Sequence, residues 1–216
     1  MIARRRSAAP GRSMSGSPAM PGDEGERWRV FLAIEIPDAV REALSEPLEA
    51  LQPLHDSIRI NPTERMHLTL HFLGHLPRPV VEQLPSDLAA VVSRHHRFGL
   101  MAQGVGAFPA ITRPRVLWAG ITGADLPRLK ALQAELGGAL RTAGVTVDGE
   151  RFHPHLTLGR VRRPLRAPER AMLREWSTRW DAATFGEVPV DRVRLMRSQL
   201  GGGPPRYTTL TTFDLQ

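Results

Sequence analysis

One tetrapeptide occurs twice in this chain, and it constrains the fold more than any other feature. His67-Leu68-Thr69-Leu70 returns 88 residues later as His155-Leu156-Thr157-Leu158. Each copy follows a helical segment, lies in an alternating apolar run and ends near a glycine, Gly74 or Gly159. Two copies in matching contexts point to an internal repeat. In a strand, residues two apart project from one face. His67 and Thr69 therefore project together, with Leu68 and Leu70 directed into a core, and His155 and Thr157 do the same. If two lobes face each other across a cleft, two imidazoles and two hydroxyls converge. Taken alone, the pattern also fits two ordinary strands carrying polar residues.

The rest of the chain supplies elements for such a fold. The run 29–36 is short, apolar and β-branched, and Pro37 ends it, which predicts a buried strand. Asp38 caps a helix to about Leu51 with Val40, Leu44 and Leu48 on one face. A strand is expected at 67–72, a helix at 79–94, and strands near 98–105 and 115–121. A helix at 125–143 carries Leu126, Leu129, Leu132, Leu136 and Leu140 at helical spacing, and Gly144 stops it. These leucines and Trp118 read as core. A strand at 155–161, a helix near 168–177 and strands at about 188–197 and 207–214 complete the chain. The last two are joined by a Gly-Gly-Gly-Pro-Pro turn and are expected to pair antiparallel. The mixture is α+β. Residues 1–26 have no apolar periodicity and read as a disordered basic tail, leaving 27–216 as a single two-lobed domain.

Composition removes several classes. Cysteine is absent, which excludes disulfides, a cysteine nucleophile and thiolate metal sites. No apolar run approaches a membrane span, and no apolar signal segment opens the chain, so a cytoplasmic protein without membrane association is expected. The formal charge is +7, from 29 basic and 22 acidic residues, and Lys130 is the single lysine. Residues 1–22 hold four arginines and no acid, so the remainder carries only +3. That is not the footprint of a general nucleic-acid coat.

What remains is the histidine–threonine pair. Histidine titrates near neutrality, so one ring can serve as base while the other, protonated, serves as acid. Threonine hydroxyls donate to the oxygens of a phosphate. Such a set can hydrolyse a phosphodiester with no cofactor and no metal, and the strained ring of a 2′,3′-cyclic phosphate suits it.

At these residues the chain resembles the 2H phosphoesterases, and within them the RNA 2′,3′-cyclic phosphodiesterases, also called 2′-5′ RNA ligases. Besides the two motifs, the resemblance rests on residues 29–34, 66–74, 106–109 with 115–118, 152–160, and 198–207, and it spans about residues 28–215. It implies two α+β lobes related by a pseudo-twofold, mainly antiparallel sheets flanking a central cleft, and helices outside. It also implies hydrolysis of RNA 2′,3′-cyclic phosphate ends to 2′-phosphates, with reversible 2′-5′ ligation when a 5′-hydroxyl replaces water. His67 would be the acid for the leaving 3′-oxygen and His155 the base that activates water. Thr69, Thr157 and Arg160 would hold the phosphate, and Phe152 would stack on the terminal base. Position 66 is Met where relatives often carry an aromatic. The expected partner is an RNA end bearing the cyclic phosphate. A monomer is expected, because the second lobe completes the site.

Other residues keep two readings each. His71 shares the face of His67 and Thr69 by alternation and could form a ladder with His75, but no acid is near; a cleft-wall or hydrogen-bonded neighbour is the expectation, not a metal site. His153 caps its strand or touches substrate. Arg162, Arg163 and Arg166 form either a solvated face or the rim where RNA enters. The alternatives for the whole protein are a phosphodiesterase for small cyclic nucleotides or 2′-5′ oligonucleotides, and a catalytically silent RNA-binding module.

Overall fold

A computed structural model of the chain describes residues 25–147, 152–201 and 203–216. The expected tail falls almost wholly outside them.

The first strand, β1 (Arg27–Glu35), has five consecutive buried residues, Val30–Ile34, as a strand covered on both faces must. The helix expected to Leu51 breaks into α1 (Asp38–Ala43) and α2 (Ser45–Glu49). Pro47 explains the break, since it has no N–H to continue the ladder. A short strand missed by periodicity, β2 (Ile58–Ile60), precedes β3 (His67–Pro77), α3 (Arg78–Val92), β4 (Phe98–Phe108) and β5 (Val116–Thr122). Then come α4 (Leu126–Thr142), β6 (His155–Val161) and α5 (Ala167–Trp180). The expected strand at 188–197 is in fact two, β7 (Thr184–Val190) and β8 (Arg192–Gly201), and β9 (Gly203–Asp214) closes the fold. The closing pair thus consumes most of the predicted Gly-Pro turn as strand.

The strands form one antiparallel sheet in the order β7-β4-β5-β6-β3-β1-β8-β9, with β2 on β6. Its centre is a seam: β3 and β6 pair at a single position, Leu68 with Leu156. Outward from that seam run two four-stranded halves, β3-β1-β8-β9 and β6-β5-β4-β7. This is the expected α+β architecture of two antiparallel halves with helices behind.

Two helices, α1 and α4, are exchanged between the halves, while α3 and α5 stay with their own. α1 follows β1 in the chain but packs on β7, and α5 packs on β4. Trp176 of α5 donates its Nε1–H to the Pro47 carbonyl at 2.8 Å, which closes the helix layer behind the second half. α4 follows β5 but packs on α3 and β3 of the first half. Leu129, Leu132, Leu136 and Leu140 are buried there as predicted, whereas Leu126 is only partly buried. Trp118 departs from its core assignment. It stands opposite Thr157 on β6 and Gly106 on β4, half-buried, with its ring over Gly106.

Candidate active site

The seam sets the site. With Leu68 and Leu156 paired and buried, the alternation of a strand sends His67, Thr69, His155 and Thr157 to the opposite face. The four motif residues thus meet across two strands drawn from the two repeats.

Both motif strands then carry the same irregularity. Ala33 pairs with Thr69 but Leu32 pairs with His71, so Leu70 is an extra residue. Trp118 pairs with Thr157 but Leu117 pairs with Gly159, so Leu158 is extra. Each is a β-bulge, and a bulge reverses which side the following residues face. The expectation that His71 shares a face with His67 is therefore wrong. His71 is buried, and its Nε2 lies 2.7 Å from the Gln133 carbonyl on α4, where Gly137 leaves room for the ring. It is the hydrogen-bonded neighbour of the two earlier readings. Phe72 takes the cleft face in its place and is 48% exposed. In the second repeat Gly159 turns inward and Arg160 turns to the cleft.

The two histidines are held alike. The Nδ1 of His67 lies 2.9 Å from the Arg65 carbonyl, and that of His155 lies 2.7 Å from the His153 carbonyl. A carbonyl only accepts, so each Nδ1 carries the hydrogen and each neutral ring keeps its lone pair on Nε2. Burial pushes His67 down from the ordinary 6.5 to about 4, against the upward pull of the Arg65 carbonyl. Burial also lowers His155; its bond to His153 opposes this, and the nearby Arg160 and His153 charges add to it. Phe31 stacks on His67 at 4.7 Å, and the Tyr207 ring meets it edge-on at 5.3 Å. Phe108 meets His155 edge-on at 5.0 Å.

A cleft of about 720 Å³ opens over the seam, lined by His67, Thr69, Thr157 and Arg160 together with aromatic and arginine side chains. Five arginines line it (Arg29, Arg59, Arg65, Arg160 and Arg162), and no acid among the described residues does. His155 and Phe152 are not among the lining residues. His155 stands across the seam on the strand of Thr157, and Phe152 is half-buried against the core. Met66 is buried, so the rings beside His67 come from β1 and β9 instead. Of the three arginines after the second motif, Arg162 lines the cleft. Arg163 is drawn off to Glu169 at 2.8 Å. The backbone N–H of Arg166 also bonds Glu169, at the start of α5. Glu169 sits at about 2, held there by Arg163, the Ser57 hydroxyl and that N–H.

Sequence reasoning missed Arg29, Arg59, Arg65, Phe72 and Tyr207. Arg65 ends a 3₁₀ turn (Thr63–Arg65) just before β3, outside the strand to which alternation applies. The others are brought in by pairing and bulges. The hydroxyl of buried Ser198 accepts from Arg29 at 3.1 Å and fixes that guanidinium against β8.

Comparison with known proteins gives consistent results. A family model, the 2′-5′ RNA ligase superfamily, matches residues 36–202. An RNA 2′,3′-cyclic phosphodiesterase of Archaeoglobus fulgidus is 32% identical over 86% of this chain and 99% of its own length. One of Aeropyrum pernix is 34% identical over 68% of this chain and 80% of its own. Among solved structures, Escherichia coli LigT complexed with 3′-AMP superposes with a TM-score of 0.66 at 25% identity, covering 88% of this chain and 99% of that one. TT0787 of Thermus thermophilus gives 0.64 at 30% identity, with 86% and 97% covered.

Proposed function

We propose a function on this premise: the chain belongs to the 2′-5′ RNA ligase superfamily. It hydrolyses RNA ends bearing a 2′,3′-cyclic phosphate to 2′-phosphates. The observation that carries this reading is the meeting of two motif strands at one seam, each with a histidine whose Nδ1 is tied to the carbonyl two residues back.

In the reaction His155 takes a proton from water through Nε2 as the water oxygen attacks phosphorus. The bond from phosphorus to the 3′-oxygen breaks, and a proton on Nε2 of His67 passes to that oxygen. The products are a 2′-phosphate and a 3′-hydroxyl, and solvent exchange resets both rings. His67 is neutral in the free protein, because burial holds it at about 4. The negative charge of the bound phosphate favours the histidinium, so substrate brings the acid into its working state. Each proton transfer contributes roughly 10²–10⁴-fold. Thr69, Thr157 and Arg160 donate to the non-bridging oxygens as charge builds there. Phe152 keeps its expected role at the terminal base as a separate, testable assignment. With a 5′-hydroxyl in place of water the same transfers form a 2′-5′ linkage. Both motif strands come from one chain, so a monomer suffices.

The test is a short RNA ending in a 2′,3′-cyclic phosphate, incubated with the protein in excess EDTA. Release of a 2′-phosphate end, abolished in His155→Ala, is the expected result. No turnover, or a 3′-phosphate product, would overturn the reading. Stoichiometric binding without turnover would return the protein to the binding-module alternative.

A further inference from the structure

The cleft holds more positive charge than the reacting group needs. A cyclic phosphodiester carries one negative charge, and Thr69, Thr157 and Arg160 already answer it in the proposed reaction. Of the four other arginines of the lining, Arg29 is held by Ser198 and Arg65 stands in the turn before β3, which leaves Arg59 and Arg162 beside Arg160. Arg59 of β2 is the direct cross-strand partner of Arg160 on β6, so the two side chains lie next to each other on one face. Arg162 follows on β6's trailing residues, its N–H bonded to the Ser57 carbonyl at 2.7 Å, which holds it beside the start of β2. All three are exposed, line the cleft, and lack a carboxylate partner among the described residues.

Like charges directly opposite in a sheet repel. Several other arginines of the described chain are matched to acids, as Arg179 is to Glu46, Arg197 to Glu26 and Arg94 to Glu135. At the β2–β6 rung nothing in the described protein answers the charge. An anion from outside does. A ribonucleotide chain ending at the seam has one ready, its next backbone phosphate. Guanidinium forks suit phosphate oxygens.

We infer that Arg59 and Arg162 hold the first internucleotide phosphate, so the cleft selects a cyclic phosphate at the end of a chain over one on a free mononucleotide. The inference rests on the proposed activity and names its substrate more closely. The strand that leaves the seam runs over β2, away from Phe72.

The test compares two dinucleotides that end in the 2′,3′-cyclic phosphate. One has a normal internucleotide phosphate, the other a neutral methylphosphonate in its place. A charge-assisted contact predicts that the wild type favours the charged linkage in kcat/KM by roughly tenfold, and more weakly as salt rises. In Arg59→Gln the ratio of the two substrates falls toward one, and Arg162→Gln lowers it in part. Both residues are exposed, so the folded state tolerates either change. A wild-type ratio near one would overturn the inference. So would a ratio unchanged by Arg59→Gln, including the case in which both rates drop together, since that would put Arg59 at the reacting phosphate. Failure of the activity itself would show differently, as no turnover of either dinucleotide.

Discussion

The two halves of the sheet share a plan and differ in what they place around it. Each has a motif strand, a bulge after its threonine, and a histidine tied back to a carbonyl. In the first half the bulge delivers Phe72 to the cleft, and the histidine lies between Phe31 and Tyr207. In the second it delivers Arg160, with Arg59 beside it. His67 is packed between two rings, whereas His155 meets one ring, Phe108, and lies near the charge of Arg160. A repeated backbone thus yields two histidines in unlike surroundings, and unlike surroundings are what an acid and a base require.

The largest effects come from the histidines. His67→Ala and His155→Ala should each lower the single-turnover rate on cyclic-phosphate RNA by roughly 10²–10⁴-fold. An aryl phosphodiester, whose phenolate leaves without a proton, separates them. On it His67→Ala should lose less than about tenfold, while His155→Ala stays crippled. The reverse pattern would exchange the roles of the halves. Next come the hydroxyls. Thr69→Val and Thr157→Val should each reduce kcat by roughly 10- to 100-fold, and equal losses would mean that the phosphate sits on the pseudo-twofold.

The histidine environment gives a subtler test. By proton NMR His67 should titrate near 4 in the free protein, and Phe31→Ala should move it toward 6.5 by admitting water. Because the folded value lies below the unfolded one, the unfolded chain binds more protons between pH 6.5 and 4. Stability is then full above 6.5 and declines as pH falls through that window. His67→Gln should flatten the decline in thermal melts. Calorimetry at pH 7 in buffers of different ionisation enthalpy should show proton uptake when a phosphate-ended product binds. The smallest effect is expected at Gly159, the counterpart of His71. A Cβ there would stand 3.1 Å from Ile58 Cγ2 and 3.2 Å from the Arg59 carbonyl. Gly159→Ala should shift β2 by a few tenths of an ångström and cost about 1 kcal/mol in denaturant melts.

The motif strands, the helix at 126–142 and the four central residues were legible because periodicity and a repeat both pointed to them. What followed each motif was not. Leu70 and Leu158 look like any core leucine, so nothing local marks them as the extra residues that reverse Phe72 and His71. β7 was hidden by Gly186 and Pro189, which belong in a strand only at an edge or an irregular turn of the backbone, and β7 is the sheet's edge. Arg59 sits on a strand of three residues and pairs with Arg160 of β6, 101 positions away, and only tertiary structure reports it.

The exchange of helices and the placing of β8 beside β1 bear on how the chain is made. β1 is finished early in synthesis, yet one of its two neighbours is β8, residues Arg192–Gly201. Until that strand leaves the ribosome, a run of five core residues has an unsatisfied backbone edge, the kind of edge that recruits other chains. Contacts so distant in sequence also close slowly. A message cut short after α5 therefore yields an adhesive fragment instead of half an enzyme, and the last strands act as the seal on a vessel whose walls were built first.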